Sequence, residues 1–568
     1  MPIFISQNID MKFTLLSFIC FVFSFNIIKA QNEFITTWKP SNIQNPIPDS
    51  PPYISSSTQA WAPFRGTGYT IFWEEVGYPS HNMTMANVSS SNQVLLDFGT
   101  PHNPIPGNAT YKVKVSNGSG NFYRIAFRDN TLIGNMNDIM GDSSKILEIN
   151  QWGSIAWSSM GSAFSGCTNL NMLAIDSPNL TGVSDISYMF QGCSTLSGNT
   201  SFNNWNISSV TSLLGTFSGC YLFNQPIGNW NTSNVQSMAA LFLMAQNFNQ
   251  PIGNWNTSQV SAMDAMFNSA KNFNQAIGNW NVSNVLEMEF MFANAWAFNQ
   301  PLESWNTSQV TEMNGMFLFA KAFNQPIGSW NISKVTKLQN MFTSAIVFNQ
   351  PIGNWNTSNA TSMSAMFQNA TSFNQNISNW NTSQVTSIQN MFTNATIFNQ
   401  NLGNWNLFSL LYAGGVFNNS GLSCQNYDST LYGWSIHPQT PNNINLNSAS
   451  PLIYTHPAAV NARNFLITTK GWTIAGDSYD DKCESILSTK EITTENQLLI
   501  YPNPASDYVY IKNLKGRANY KVFDNSGRLI LQNSSDKNKI DIRTLTKGNY
   551  FLLVETKDMV KTFKILKN

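Results

Sequence analysis

The chain has 568 residues, too many for one domain, and only 11% of them are charged, against roughly 25% in typical soluble proteins. Its 30 Lys and Arg balance 30 Asp and Glu, which excludes an electrostatic case for nucleic acid or an anionic membrane as partner. The charges are also uneven. Between residues 201 and 400 only Asp264, Lys271, Glu287, Glu289, Glu303, Glu312, Lys321, Lys334 and Lys337 carry one. Asn, Gln, Ser and Thr must keep that stretch in solution, which suits a secreted protein that meets neutral ligands or neighbouring surfaces.

In chain order, Met11-Lys12 opens a basic segment and 13–28 is an apolar run of signal-peptide length, with Ala30 before a cut at Gln31. The reading predicts a signal peptide over 1–30, starting at Met11. Beyond residue 31 no stretch reaches the roughly 18 apolar residues a membrane helix needs, so the mature chain is expected to lack a transmembrane segment. Residues 31–150 hold β-type runs at 69–73, 94–98, 111–115 and 122–127 between Gly, Pro and Asn. They predict a β-rich N-terminal domain, which resembles a degenerate PKD-type sandwich.

Tryptophan then stands at 205, 230, 255, 280, 305, 330, 355, 380 and 405, an unbroken 25-residue period. Such a period marks stacked units, none of which buries its apolar face alone. Within a unit, Val235, Met238, Leu241, Phe242 and Ala245 recur at helical spacing, as do Val310, Met313, Met316, Phe317 and Ala320. Ser233 or Ser308 would cap such a helix, and Gln236 would complete a capping box. The 223–231 half, punctuated by Pro and Gly, reads as turn, short strand, turn. The predicted fold is an α/β repeat solenoid of short parallel strands plus helices over 151–423, flanked by β-sandwich domains.

The Asn after each Trp (Asn206, Asn231, Asn256 and onward) is expected to bond from rung to rung and to satisfy backbone groups at the turn. Ile227 and Trp230 have opposite strand parity, so Trp points outward unless a turn at Gly228-Asn229 brings it back. Two readings of Trp230, Trp255, Trp280, Trp305, Trp330, Trp355 and Trp380 therefore stand: a packed ladder, or an exposed ligand platform for sugar rings or peptides. A platform requires Trp280 to be at least about a fifth exposed.

The recurring W-N-T-S-x-V-x-x-M-x-x-M-F-x-x-A/C and F-N-Q-P-I-G resemble the leucine-rich-repeat-like BspA-like family of bacterial surface proteins. The resemblance implies surface display, adhesion and protein contact. Cys167, Cys193 and Cys220 each follow a Phe by three residues, where later units have Ala245, Ala270 and Ala295, so they read as core thiols. Cys424 and Cys483 flank one segment and are a candidate disulfide. Residues 424–484 are expected to cap the array, and 485–496 to be a polar linker.

The last stretch, 497–568, opens with Tyr501-Pro-Asn-Pro504, runs through Tyr520-Lys-Val-Phe and Gly548-Asn-Tyr-Phe, and closes with alternating strand residues at 561–567. It resembles the type A C-terminal sorting domain of the Bacteroidota type IX secretion system. That resemblance implies the type IX machinery as a partner, export across the outer membrane, and release or surface anchoring.

No catalytic pattern emerges. His81, His102, His437 and His456 sit in no HExxH or GxSxG context, and the repeats lack a recurring carboxylate pair. Asp477, Asp480, Asp481 and Glu484 do not follow an EF-hand spacing. No enzyme activity, cofactor or metal is expected. The readings carried forward are adhesion or protein–protein contact with an unknown protein or cell-surface partner, and carbohydrate binding through the Trp/Asn row. A structural surface-layer role is a third.

Overall fold

A computed structural model describes residues 32–43, 55–128, 141–485 and 499–568, apart from 513, 515, 526, 536, 537 and 557–559. The expected signal peptide at 1–30 and, save Ser485, the linker at 485–496 lie outside the described residues. The chain forms two compact units, 1–485 and 486–568.

The first unit opens with β1 (Phe34–Trp38), β2 (Gln59–Ala62), β3 (Phe64–Glu75), β4 (Tyr78–Ser90), β5 (Val94–Asp97), β6 (Tyr111–Ser116), β7 (Asn121–Ile125), β8 (Ile146–Gln151) and β9 (Asn171–Met172). One sheet runs β4-β3-β6-β1-β8-β9, with β7 also on β3, and β2 pairs with β5. Strand β6 alternates buried and half-buried residues, so Tyr111, Val113 and Val115 face the core beside Phe34, Ile71 and Trp73. Pairing is antiparallel up to β8, which then meets β9 in parallel. From there the parallel register passes along single bridges, Asp185 to Ser212 to Ser237 to Ala262, and on to Tyr412. A single apolar core extends from Phe34 to Ile474.

The repeats correct the expected fold class. Residues 205–423 contain neither α-helix nor extended strand, only turns and one bridging residue per unit. Regular structure is mostly strand, in several sheets, so the α/β solenoid of strands plus helices is not what this sequence forms.

The reason lies in where the amides go. A helix spends its interior N–H groups on carbonyls four residues back. Here the N–H groups of Met238, Ala240, Phe242 and Met244 donate to Ala262, Asp264, Met266 and Asn268 of the next unit at 2.7–3.0 Å. The alternate amides of Leu241, Leu243 and Ala245 close turns onto residues three back. Ala240 and Met244 have φ of +51° and +62°, left-handed values that no helix interior tolerates. The result is a ribbon of turns whose apolar side chains face inward at a spacing that also fits a helix.

Two α-helices, α1 (Cys424–Ile436) and α2 (Pro457–Thr468), follow the array, with β10 (Asn445–Ser448) and β11 (Ile453–Tyr454) paired in parallel to β12 (Thr473–Ala475) and β13 (Ser478–Tyr479). Helix α1 closes the ladder by imitation. Trp434 donates its indole N–H to the Leu402 carbonyl at 2.9 Å, the bond Trp405 makes to Ile377 one rung earlier at 3.1 Å. It sits close because Gly433 and Gly403 touch backbone to backbone; a Cβ on Gly433 would collide with Gly403.

The second unit has its own core, centred on Val509, Val522, Ile540, Leu552 and Ile565. Its strands are β14 (Leu499–Tyr501), β15 (Tyr508–Lys512), β16 (Ala518–Phe523), β17 (Leu529–Ser535), β18 (Lys539–Asp541), β19 (Gly548–Glu555) and β20 (Val560–Lys567). They form the sheets β14-β15-β18 and β17-β16-β19-β20.

Candidate interaction surface

The tryptophan row lies inside. Trp230, Trp255, Trp280, Trp305, Trp330, Trp355 and Trp380 are 3–4% exposed, so Trp280 falls far short of the fifth that a platform requires. A turn at Gly228-Asn229 undoes the strand parity. Each indole N–H is also spent: Trp255, Trp280 and Trp355 donate to Ile227, Ile252 and Ile327 of the preceding unit at 3.1 Å. Successive rings such as Trp230, Trp255 and Trp280 stack 6.3 Å apart, beside two phenylalanine columns that touch at Phe242 and Phe248, 3.8 Å apart. At 150–250 Å² per indole, each ring contributes on the order of 4–6 kcal/mol of burial.

The asparagines after each tryptophan meet the neighbouring rung only through their carbonyls, where Asn256 and Asn281 accept from the hydroxyls of Thr232 and Thr257; their side-chain amides stay within the unit and satisfy the turn. Asn231 and Asn256 accept from the amides of Ser233 and Ser258 two residues on, fixing a local turn. The rung-to-rung amides belong to the Phe-Asn-Gln motif instead. Asn274 Oδ1 accepts the Asn299 amide at 2.9 Å and Gln300 Nε2 at 3.0 Å, and the column ends at α1, where Asn399 takes the Ser423 amide.

Cys424 and Cys483 are joined as a disulfide, which ties the start of α1 to the end of the first unit. Cys167, Cys193 and Cys220 are buried thiols, pushed well above their usual range by burial. The Cys193 and Cys220 thiols donate to the carbonyls of Phe164 and Phe190. His81 bonds the fully buried Glu75 at 2.6 Å and stacks on His102, while His456 caps α2. Asp477 is held by Arg463 at 2.7 Å and by the Tyr427 hydroxyl. Among the described residues no group of three or more His, Cys, Asp or Glu is placed to hold a metal ion.

What remains open to a partner is set by the differences among nearly identical units. Positions such as Trp255, Met263 and Phe267 recur because the core needs them. Variation concentrates in the turn ribbon, residues 237–247 and their equivalents. Seven of the nine charges between 201 and 400 lie there, all but Glu303 and Lys334. So do the exposed side chains Tyr221, Leu222, Met244, Trp296, Phe319, Ile346, Val347 and Ile397.

Two columns of the ribbon carry opposite character. Asp264, Glu287, Glu289 and Glu312 fill one side of three successive units, with Lys337 in the next unit 3.5 Å from Glu312. Burial raises the Asp264 carboxyl above its usual range, and burial together with the Glu312 charge does the same to Glu289. On the other side Trp296, 41% exposed, is bracketed by Lys271 Nζ at 4.6 Å and Lys321 Nζ at 4.3 Å from its ring centre. The sequence signal for this surface was a variable column: Lys271, Trp296 and Lys321 stand where other units have Tyr221, Gln246, Ile346, Thr371 and Thr396.

Fold and surface together define a repeat protein with a constant interior and one variable side. Residues 158–271, 248–345 and 324–430 match the family described as Mycoplasma protein of unknown function, DUF285. Residues 499–568 match the secretion system C-terminal sorting domain. The chain thus combines a repeat array with the tail of a type IX export substrate, which interacts with that machinery and directs the protein to be secreted or held at the cell surface. No curated protein matches the chain. Among the described residues no helix is long and apolar enough to cross a membrane.

Proposed function

We propose that this protein, once exported, acts without chemistry of its own as an adhesion or protein-contact module, and that it engages its partner through the variable turn ribbon of the repeats. The observation that carries this reading is the concentration of charge and exposed apolar side chains in one segment of an otherwise constant unit, with Glu303, Lys334 and Leu286 outside it. Interfaces favour Trp, Phe and Met in this way at their centres. The resemblance of the repeat motif to the BspA-like family supports the same reading. The carbohydrate alternative loses its support, because the ladder indoles are buried and the faces of Trp296 are occupied by lysines.

The test is binding of the purified chain to whole cells and matrix proteins, in parallel with a glycan array. Saturable binding to cells or matrix, weakened at least tenfold by Trp296→Ala, is expected. A glycan signal that Trp296→Ala leaves unchanged, with cells and matrix silent, would overturn the proposal.

A further inference from the structure

We propose that the variable ribbon pairs with the same ribbon of a second copy, about a twofold axis parallel to the stack of units. This rests on the preceding reading of the ribbon as the contact surface and names its occupant.

The two charged columns occupy the same rungs. Asp264 and Lys271 belong to one unit, Glu289 and Trp296 to the next, and Glu312 and Lys321 to the one after. Both columns sit on the segment whose amides run from unit to unit, so their order across the array is the same on every rung. Rotation by a half-turn about an axis along the stack keeps each rung level and exchanges left for right. The acidic column of one copy then meets the lysine–tryptophan column of the other, twice over, as an isologous contact requires. A half-turn about an axis across the stack would set acid against acid. Charge therefore selects one of the two arrangements.

Both columns also lack sufficient counter-charge within the chain. Lys337 alone stands against four carboxylates, and the upward shift of Glu289 traces in part to Glu312. Among the described residues no carboxylate pairs with Lys271 or Lys321, whose ammonium groups rest on an indole instead. Phe319 lies exposed two residues before Lys321, supplying apolar area beside the charges.

Sedimentation velocity of the purified chain tests this, with Lys271→Glu/Lys321→Glu and Asp264→Lys/Glu312→Lys as charge-reversed partners and circular dichroism to verify their fold. The expected result is a dimer for the unaltered chain that weakens as salt rises, monomers for each folded variant alone, and a dimer again on mixing the two. A monomeric unaltered chain, reversed variants that still dimerise alone, or a mixture that stays monomeric would overturn it. If the unaltered chain is monomeric yet Lys271→Glu/Lys321→Glu abolishes cell binding, the ribbon remains the contact surface and its occupant is another molecule.

Discussion

Trp280 and Trp296 stand in neighbouring parts of the array and answer to different demands. Trp280 is buried and bonds the Ile252 carbonyl, so Trp280→Ala removes a large ring and one of the two hydrogen bonds to that carbonyl, which keeps the Trp255 amide. Its expected cost is about 3–5 kcal/mol, read from the midpoint of urea unfolding. Trp296→Ala should cost under about 1 kcal/mol by the same measurement, because only exposed area and two surface cation–π contacts are lost. A second residue-scale expectation concerns acid. Burial pulls the Glu75 carboxyl up, but bonds from His81 and from the His102 and Asn103 amides outweigh it and hold it below its usual range. Its stabilising contribution is therefore complete above the ordinary carboxylate range and fades as pH falls through the lowered value. Glu75→Gln should flatten the acid side of the stability profile; an unchanged slope would show that another carboxylate governs it.

At the scale of the element, the sequence displayed the period and the apolar stripe but left helix and turn ribbon unresolved. Val235, Met238, Leu241 and Phe242 satisfy both, since a run of turns also returns a side chain inward every three or four residues. The deciding signal was present at other positions. Gly215, Gly219, Asn294, Gly315, Asn340, Asn390 and Asn394 hold left-handed places where a helix would favour Ala or Leu, although Ala240, Ala265 and Ala365 hold the same places in other units. Asn340, at φ +56°, separates the alternatives. Valine and asparagine have similar helix propensities, so a helix would barely register Asn340→Val. The ribbon should lose about 1–2 kcal/mol, because a β-branched side chain resists that conformation. The tryptophan ladder was legible only as a period. Its burial depended on a turn at Gly228-Asn229, and parity alone read it the other way. The Lys271–Trp296–Lys321 surface is not legible in the period, because it is built from residues that vary between units, and its ring contacts cross from unit to unit.

For the whole molecule, the ends of the array matter as much as its rungs. The antiparallel sheet hands its register to the repeats through β8 and β9, and α1 closes the far end with Trp434. The disulfide holds that closure by spanning 59 residues, for which the chain-entropy account gives about 4 kcal/mol. Cys424→Ser/Cys483→Ser should lower the unfolding midpoint correspondingly and leave the tail's own core untouched. On the proposed function, such an arrangement of a buried interior and one variable side would place recognition on residues the fold does not need. Hydrogen exchange of the intact protein, followed from dilute to concentrated solution, tests that most directly. The account predicts slowed exchange in peptides covering 264–271, 289–296 and 312–321, with peptides over the constant 231–234 turn and its equivalents unchanged. Slowing confined to those constant turns would contradict it, and no slowing at any concentration would contradict the self-pairing of the ribbon.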